Sequence, residues 1–278
     1  MICLTCDIHH KSLKTGNQEH ANQTETSIAQ RFTEMLSANA IKSTCFITGK
    51  AFEEEWETIK PICANPNVEI GGHTYNCFMP ELWHRGCKKI IGSYNGPKWQ
   101  QNWDIQKTKR IIQHKTNIEI TSWRNHMYMH GPNTEELLIK NGINVCCDGV
   151  SKRSTGFKPH SSGLLNFPLN IIPDHEHLYH AERSPEWVKN WIKRYNWSDD
   201  YGSQSYYFNE WFEIFKTEVT KRESLGIVSH ILIHPITIYL CQGVSGLSKI
   251  IKFLAQFESC FVRELVNEYA LKQRLDRS

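Results

Sequence analysis

Side chains that could act as bases, acids or metal ligands follow several stretches of the sequence that have the pattern of β-strands. In chain order these residues are Asp7, His9, His73, Arg124, Asp148 and His234. A carboxylate can accept a proton, an imidazole can donate one or bind a metal, and an arginine can fix a carboxylate in place. These residue types together are typical of a catalytic centre, provided that the fold brings them to one place.

The segments between these residues alternate between strand and helix patterns. "STCFITG" and "GIVSHILIHP" have the apolar, β-branched character of buried strands. "SIAQRFTEML" places Ile28, Phe32 and Leu36 on one face of a helix. In a fold of repeated β-α units, the loops at the carboxyl ends of the strands converge, so residues far apart in sequence can meet there. We therefore expect an α/β barrel or a doubly wound sheet.

Three segments have helical patterns with special features. In "AFEEEWETIKPIC", we expect Pro61 to interrupt a helix. "SPEWVKNWIKRY" and "YYFNEWFEIF" predict two aromatic helices before the last strand. Because the β-α pattern returns after them, we expect a helical insertion at about 182–224 within a single catalytic domain that spans 1–278.

Composition argues against several classes of protein. The chain has 278 residues and a formal net charge of +3, which is too small to indicate nucleic-acid binding. It has no run of about 18 apolar residues, so no membrane span is expected. The N-terminus lacks the layout of a signal peptide, which favours a cytoplasmic protein with reduced thiols.

Five short motifs resemble, in order, those of the polysaccharide deacetylase, or NodB-homology, family: "TCDIH", "GGHTYNC", "WRNHMY", "CCDGV" and "LIHP". The resemblance covers nearly the whole chain. It implies an α/β fold of the distorted (β/α)7-barrel type, with the helical insertion before the last strand. It also implies a hydrolase that removes acetyl groups from sugars, commonly with a divalent metal such as zinc. No organic cofactor is expected.

The resemblance implies a role for each residue that matches a family motif. Asp7 matches the general base, and His234 matches the catalytic histidine. Arg124 matches the arginine that orients the base. Asp148 matches a supporting carboxylate, which would orient either Arg124 or His234. His73 matches the first metal-binding histidine.

Two positions depart from the common family motif. Ile8 and Cys77 stand where a metal-binding aspartate and the second metal-binding histidine are usual. In some branches of the family the ligand lies two residues after the base, and His9 occupies that position. Since zinc accepts both imidazole and thiolate, we expect His9, His73 and Cys77 to bind the metal, with a helical turn between His73 and Cys77. The alternative is that Cys77 is a packed thiol and that the metal is lost or held differently.

Other polar residues are candidates for substrate binding. They are His126 in "RNHMYMHG", and Asp174 and His175 in "PDHEHLYH". The alternative for both segments is a hydrogen-bonded loop with a structural role. Asp174 or His175 could also replace a missing metal ligand.

These features predict a metal-dependent hydrolase that removes an N-acetyl group from an amino sugar, a precursor of a surface polysaccharide. The alternatives are a related amidohydrolase or deformylase acting on another small amide, and a catalytically silent carbohydrate-binding protein. The expected partner is an amino sugar or other small amide. The sequence does not specify the oligomeric state.

Overall fold

The fold is built around β1, the apolar strand at the start of the sequence. In the computed structural model, which describes residues 1–275, β1 spans Ile2–Ile8 and all of its residues are buried. It lies between β2 (Ser43–Ile47) and β8 (Ser229–Ile233) and runs parallel to both. Strands that are buried on both faces are typical of parallel sheets covered by helices, which explains the nearly continuous apolar sequence of β1.

The sheet curls into a distorted barrel. Its other strands are β3 (Val68–Gly72), β4 (Ser122–Trp123), β5 (Val145–Cys146), β6 (Lys158–Pro159) and β7 (Leu165–Asn166). The order in the sheet is β6-β7-β5-β4-β3-β2-β1-β8, and only β6 and β7 pair in antiparallel fashion. Asn170 links the two ends of the sheet, because its Oδ1 accepts a bond from His230 N at 2.8 Å and its N–H donates to His230 O at 3.3 Å. The predicted distorted (β/α)7-type barrel is confirmed.

Helices cover the outside of the sheet. They are α1 (Gly16–His20), α2 (Glu25–Ala38), α3 (Gly49–Glu54), α4 (Trp56–Ala64), α5 (Glu81–Ile91), α6 (Lys98–Thr116), α7 (Thr134–Lys140), α8 (Asp174–His177), α9 (Pro185–Tyr195), α10 (Phe208–Ser224), α11 (Pro235–Leu254) and α12 (Val262–Leu275). On α2, the predicted face of Ile28, Phe32 and Leu36 is buried. The hydroxyl of Thr24 caps this helix by accepting a bond from Ser27 N.

The predicted interruption at Pro61 is wrong. Pro61 lies inside α4, and the chain instead bends at Glu55, between α3 and α4. The Glu55 carboxylate accepts bonds from Lys11 N and from the Thr26 hydroxyl. These contacts hold the bend against the loop after β1.

Helices α9 and α10 occupy the chain region predicted as an insertion at about 182–224. Trp211 of α10 is fully buried, and its indole N–H donates to Pro173 O at 3.2 Å. Helix α10 therefore supports the backbone directly before Asp174. Residues 276–278 of the predicted domain lie outside the described part of the chain.

Within residues 1–275, no helix is both long enough and apolar enough to cross a bilayer.

The close approach of β3 to β4 gives a test of the fold. A Cβ atom added at Gly72 would lie 2.3 Å from the ring of Trp123, which is fully buried and cannot move aside. We expect Gly72→Ala to destabilise the protein by about 1–3 kcal/mol through overpacking. Gly86→Ala is the control, because a Cβ there meets nothing within 4 Å and should stabilise α5 by roughly 0.5–1 kcal/mol. Urea unfolding measures both, and equal stability of Gly72→Ala and wild type would contradict this packing.

Candidate active site

An ion pair between Asp7 and Arg124 lies at the centre of the site. Arg124 Nη1 donates to Asp7 Oδ1 at 2.8 Å, and both side chains are buried. The same guanidinium donates from Nε to Cys147 O at 2.7 Å and from Nη2 to the Thr5 hydroxyl at 3.0 Å. Since these bonds fix the plane of the guanidinium, they also fix the Asp7 carboxylate at the end of β1.

The surroundings of Asp7 keep its carboxylate ionised. Burial by itself raises the pKa of Asp7, but Arg124, His73 and His234 together lower it by more. The resulting pKa lies well below the usual range. The free oxygen, Oδ2, is 3.8 Å from Nε2 of His73 and 3.8 Å from Nε2 of His234. Asp7 can therefore accept a proton from a molecule bound between these imidazoles.

His9 and His73 face each other through their Nε2 atoms, which are 3.3 Å apart. The Nδ1 of His73 bonds to the carbonyl of Arg124 at 3.0 Å, so Nδ1 carries the proton and Nε2 has a free lone pair. Burial lowers the pKa of His73 to about 4, which keeps the ring neutral. The Nδ1 of His9 bonds to Glu25 at 2.8 Å, which likewise directs Nε2 of His9 into the site. Two imidazole nitrogens oriented in this way can bind a metal ion.

Cys77 and His126 bring further donor atoms to this place. One donor atom from each of His9, Cys77 and His126 lies within 4.8 Å of the other two. The resemblance implied a metal site of His9, His73 and Cys77, whereas this group of three contains His126 in place of His73. His73 lies beside the group and contacts its member His9. The predicted helical turn between His73 and Cys77 is wrong, because Cys77 lies in an irregular turn at a φ of 55° and its N–H bonds to the hydroxyl of Thr74.

His234 is held in its protonated form by Asp174. Its Nδ1–H and its backbone N–H donate to the two carboxylate oxygens of Asp174, both at 2.7 Å. Burial alone would lower the pKa of His234, but Asp174, Asp7 and Glu176 together outweigh this effect and raise the pKa to about 9. His234 therefore presents a proton at Nε2 on the side of Asp7.

Asp148 does not have the contacts that the resemblance implied. Its carboxylate accepts bonds from Asn125 N at 2.8 Å, Asn125 Nδ2 at 2.6 Å and His130 Nε2 at 2.5 Å. The expected orientation of Arg124 or His234 by direct contact with Asp148 is wrong, because the loop after β5 directs this side chain toward Asn125 and His130. Asp174 performs that role for His234.

A cavity of about 250 Å³ connects the groups that could react. Its lining includes Asp7, His9, His73, His126, His175 and His234. Of the candidates for substrate binding, His126 and His175 therefore line the cavity. Asp174 is fully buried and lies behind His234, so the structure gives it a positioning role and not the predicted contact with substrate.

Sequence reasoning missed Glu25, which accepts bonds from both Nδ1 and the backbone N–H of His9. The available signal was an acidic residue at the start of a helix that follows the first strand. Such a signal is common at helix N-termini and does not by itself point to a site.

A family model described as polysaccharide deacetylase matches residues 15–145. This segment, which is slightly less than half of the chain, is similar to the polysaccharide deacetylase family. The matched segment includes His73, Cys77 and Arg124, whereas Asp7, Asp148 and His234 lie outside it. No curated protein matches the sequence at a significant level.

Solved structures show the same fold across nearly the whole chain. A protein assigned as a polysaccharide deacetylase from Mycobacterium smegmatis is 12% identical, with a TM-score of 0.67 over 98% of this chain and 92% of that one. Puue allantoinase is 13% identical, with a TM-score of 0.63 over 96% and 89%. A protein assigned as a polysaccharide deacetylase from Pseudomonas aeruginosa PAO1 is 11% identical, with a TM-score of 0.62 over 96% and 90%. At these identities the likeness shows the fold alone.

The pairing of Asp174 with His234 predicts a change that can be measured without substrate. We expect Asp174→Asn to lower the pKa of His234 below about 9, because the negative charge that favours the imidazolium is removed. NMR titration of the imidazole in chelator-treated protein measures this shift. Asp199→Asn is a matched control, since Asp199 pairs with another buried histidine, His177, and its loss should leave His234 unchanged. An unaltered pKa of His234 in Asp174→Asn would contradict the assignment.

Proposed function

We propose that this protein is a polysaccharide deacetylase and that it hydrolyses the N-acetyl group of an amino sugar. One observation carries the proposal: the cavity places an ionised carboxylate, Asp7, 3.8 Å from an imidazole, His234, whose pKa is raised to about 9. A base and an acid held in opposite protonation states at neutral pH are the pair that amide hydrolysis needs. The proposal extends to a substrate that is a precursor of a surface polysaccharide and is processed in the cytoplasm.

The donor atoms near Asp7 fit a divalent ion of the zinc type. His9 and Cys77, together with His126 or His73, would hold it, since imidazole nitrogen and thiolate sulfur are ligands that zinc accepts. Buried partners direct both His9 and His73, as is usual for metal-binding histidines. Once bound, the ion would supply Lewis-acid polarisation of the amide carbonyl and activation of water.

The residues of the chain then account for the movement of protons. Asp7 Oδ2 accepts the proton of the attacking water, while Arg124 holds the other oxygen and maintains the orientation of the carboxylate. His234 Nε2 donates its proton to the nitrogen of the leaving amine as the C–N bond breaks. The products are a carboxylic acid and a free amino sugar. Asp7 then releases the proton that it accepted to solvent, and His234 takes one up from solvent, so both groups return to their starting protonation states.

The experiment is a panel of N-acetyl and N-formyl sugars and small ureides, incubated with metal-loaded protein and scored by released acid or amine. We expect release from an N-acetyl sugar by wild type. Asp7→Asn should reduce the rate by roughly 100-fold or more, because a positioned base contributes about that much.

Circular dichroism and metal content, measured well below the unfolding temperature, serve as controls for Asp7→Asn, and both should match wild type. The free energy of unfolding should fall, because Arg124 loses the charge of its partner. Full activity of this variant would disprove the role of Asp7 as the base. Release from only a formamide or ureide would instead support the related amidohydrolase. Bound sugar without turnover for any metal would indicate a catalytically silent carbohydrate-binding protein.

A further inference from the structure

Arg183 is a buried cation in the wall of the same cavity. It directly precedes the N-cap residue of α9, and its exposed fraction is only 5%. It lines the cavity together with Asp7 and His234. The proposed hydrolysis assigns no role to this residue.

The guanidinium of Arg183 is held in place, but no carboxylate of residues 1–275 lies within ion-pair distance of it. One of its nitrogens, Nη2, donates to the backbone carbonyl of Glu176 at 2.9 Å. Its central carbon lies 5.0 Å from the ring centroid of Trp187 and 5.1 Å from that of Trp191. Its Nε is buried and has no hydrogen-bond partner in the described part of the chain. A buried N–H without a partner is costly, which indicates that something else bonds to it.

The neighbouring acids do not form an ion pair with Arg183 in residues 1–275. Glu182 is exposed, and its Oε2 lies 3.8 Å from Nδ1 of His20. The Oε2 atom of Glu176 is itself buried without a hydrogen-bond partner, and burial raises the pKa of this carboxyl, which disfavours its charged form. A buried guanidinium without a carboxylate partner is unfavourable unless a ligand supplies the negative charge.

We propose that Arg183 binds an anionic group on the substrate, a carboxylate or a phosphate of the sugar, and so selects acidic sugars over neutral ones. Cation–π contacts with two indole rings and the bond to the carbonyl of Glu176 hold the guanidinium in place before the ligand arrives. An arginine fixed in this way can form short, charge-assisted hydrogen bonds to either group. This inference rests on the proposed function, since it concerns the sugar that the cavity receives.

The test measures binding, and it uses sugars that have no amide and are not hydrolysed. Methyl glucoside, glucose 1-phosphate and glucuronic acid are titrated into wild-type protein by calorimetry at one ionic strength. We expect at least one acidic sugar to bind roughly tenfold more tightly than the neutral one, because hydrogen bonds to charged groups are the stronger kind. The tighter of the two acidic sugars identifies phosphate or carboxylate as the group that is bound.

Two variants on the same part of the chain separate this role from a structural one. Arg183→Gln should reduce the affinity for the acidic sugar to that for the neutral sugar. Arg194→Gln is the matched control, because Arg194 is an exposed arginine of α9 and its loss should leave the preference unchanged.

Two results would overturn the proposal. One is that neither acidic sugar binds wild type more tightly than methyl glucoside does, and this comparison does not depend on whether Arg183→Gln folds. The other is that Arg183→Gln weakens the neutral and the acidic sugar equally. Absence of acid release from the substrate panel would disprove the proposed hydrolase activity. It would not affect the test of Arg183, because these affinities are measured without turnover.

Discussion

The buried ion pair between Asp7 and Arg124 is the interaction on which the rest of the site depends. It joins the end of β1 to the loop after β4, although two other strands, β2 and β3, lie between them in the sheet. Loss of one partner from a buried pair typically costs about 3–5 kcal/mol, because the other charge is left without compensation. Here the guanidinium is also bonded to Cys147 O and the Thr5 hydroxyl, so the pair fixes both the carboxylate and the barrel around it.

The second half of the site is His234, whose protonation state depends on the buried carboxylate of Asp174. Asp174 favours the imidazolium of His234, while Arg124 favours the carboxylate of Asp7, and the two reactive groups face one cavity. Although Asp7 and His234 lie only 3.8 Å apart, their different environments lower the pKa of one and raise the pKa of the other. Helix α10 contributes to this arrangement through Trp211, which bonds to the carbonyl before Asp174.

Much of this arrangement could be predicted from the sequence. The alternation of strands and helices predicted a barrel or a doubly wound sheet, because parallel buried strands have a distinctive apolar pattern. The resemblance of the motifs to a known family then favoured the distorted barrel. The residues at strand ends gave Asp7, His73, Arg124 and His234, which the structure brings to one cavity or its wall. These positions follow from topology, since the carboxyl ends of neighbouring parallel strands lie at the same edge of the sheet and do not depend on the course of the loops.

The remainder depends on loops, whose course is not encoded by periodicity. Asp148 and Asp174 both follow apolar stretches, and only the three-dimensional path of each loop decides which one reaches His234. The turn that carries Cys77 has positive φ values, which the spacing to His73 could not reveal. Arg183 gave no sequence signal at all, because its burial and its free Nε arise from packing against α9.

The central claim is that Asp7 stays free to act as a base beside a metal held by His9 and Cys77. A crystal structure of zinc-soaked wild type, with the anomalous signal of zinc, tests this claim most directly. We predict an ion about 2.0–2.3 Å from a nitrogen of His9 and from the Cys77 sulfur, with Asp7 still paired to Arg124. An ion that instead binds Asp7, or that occupies only the His130, Cys146 and Asp148 group, would contradict the account.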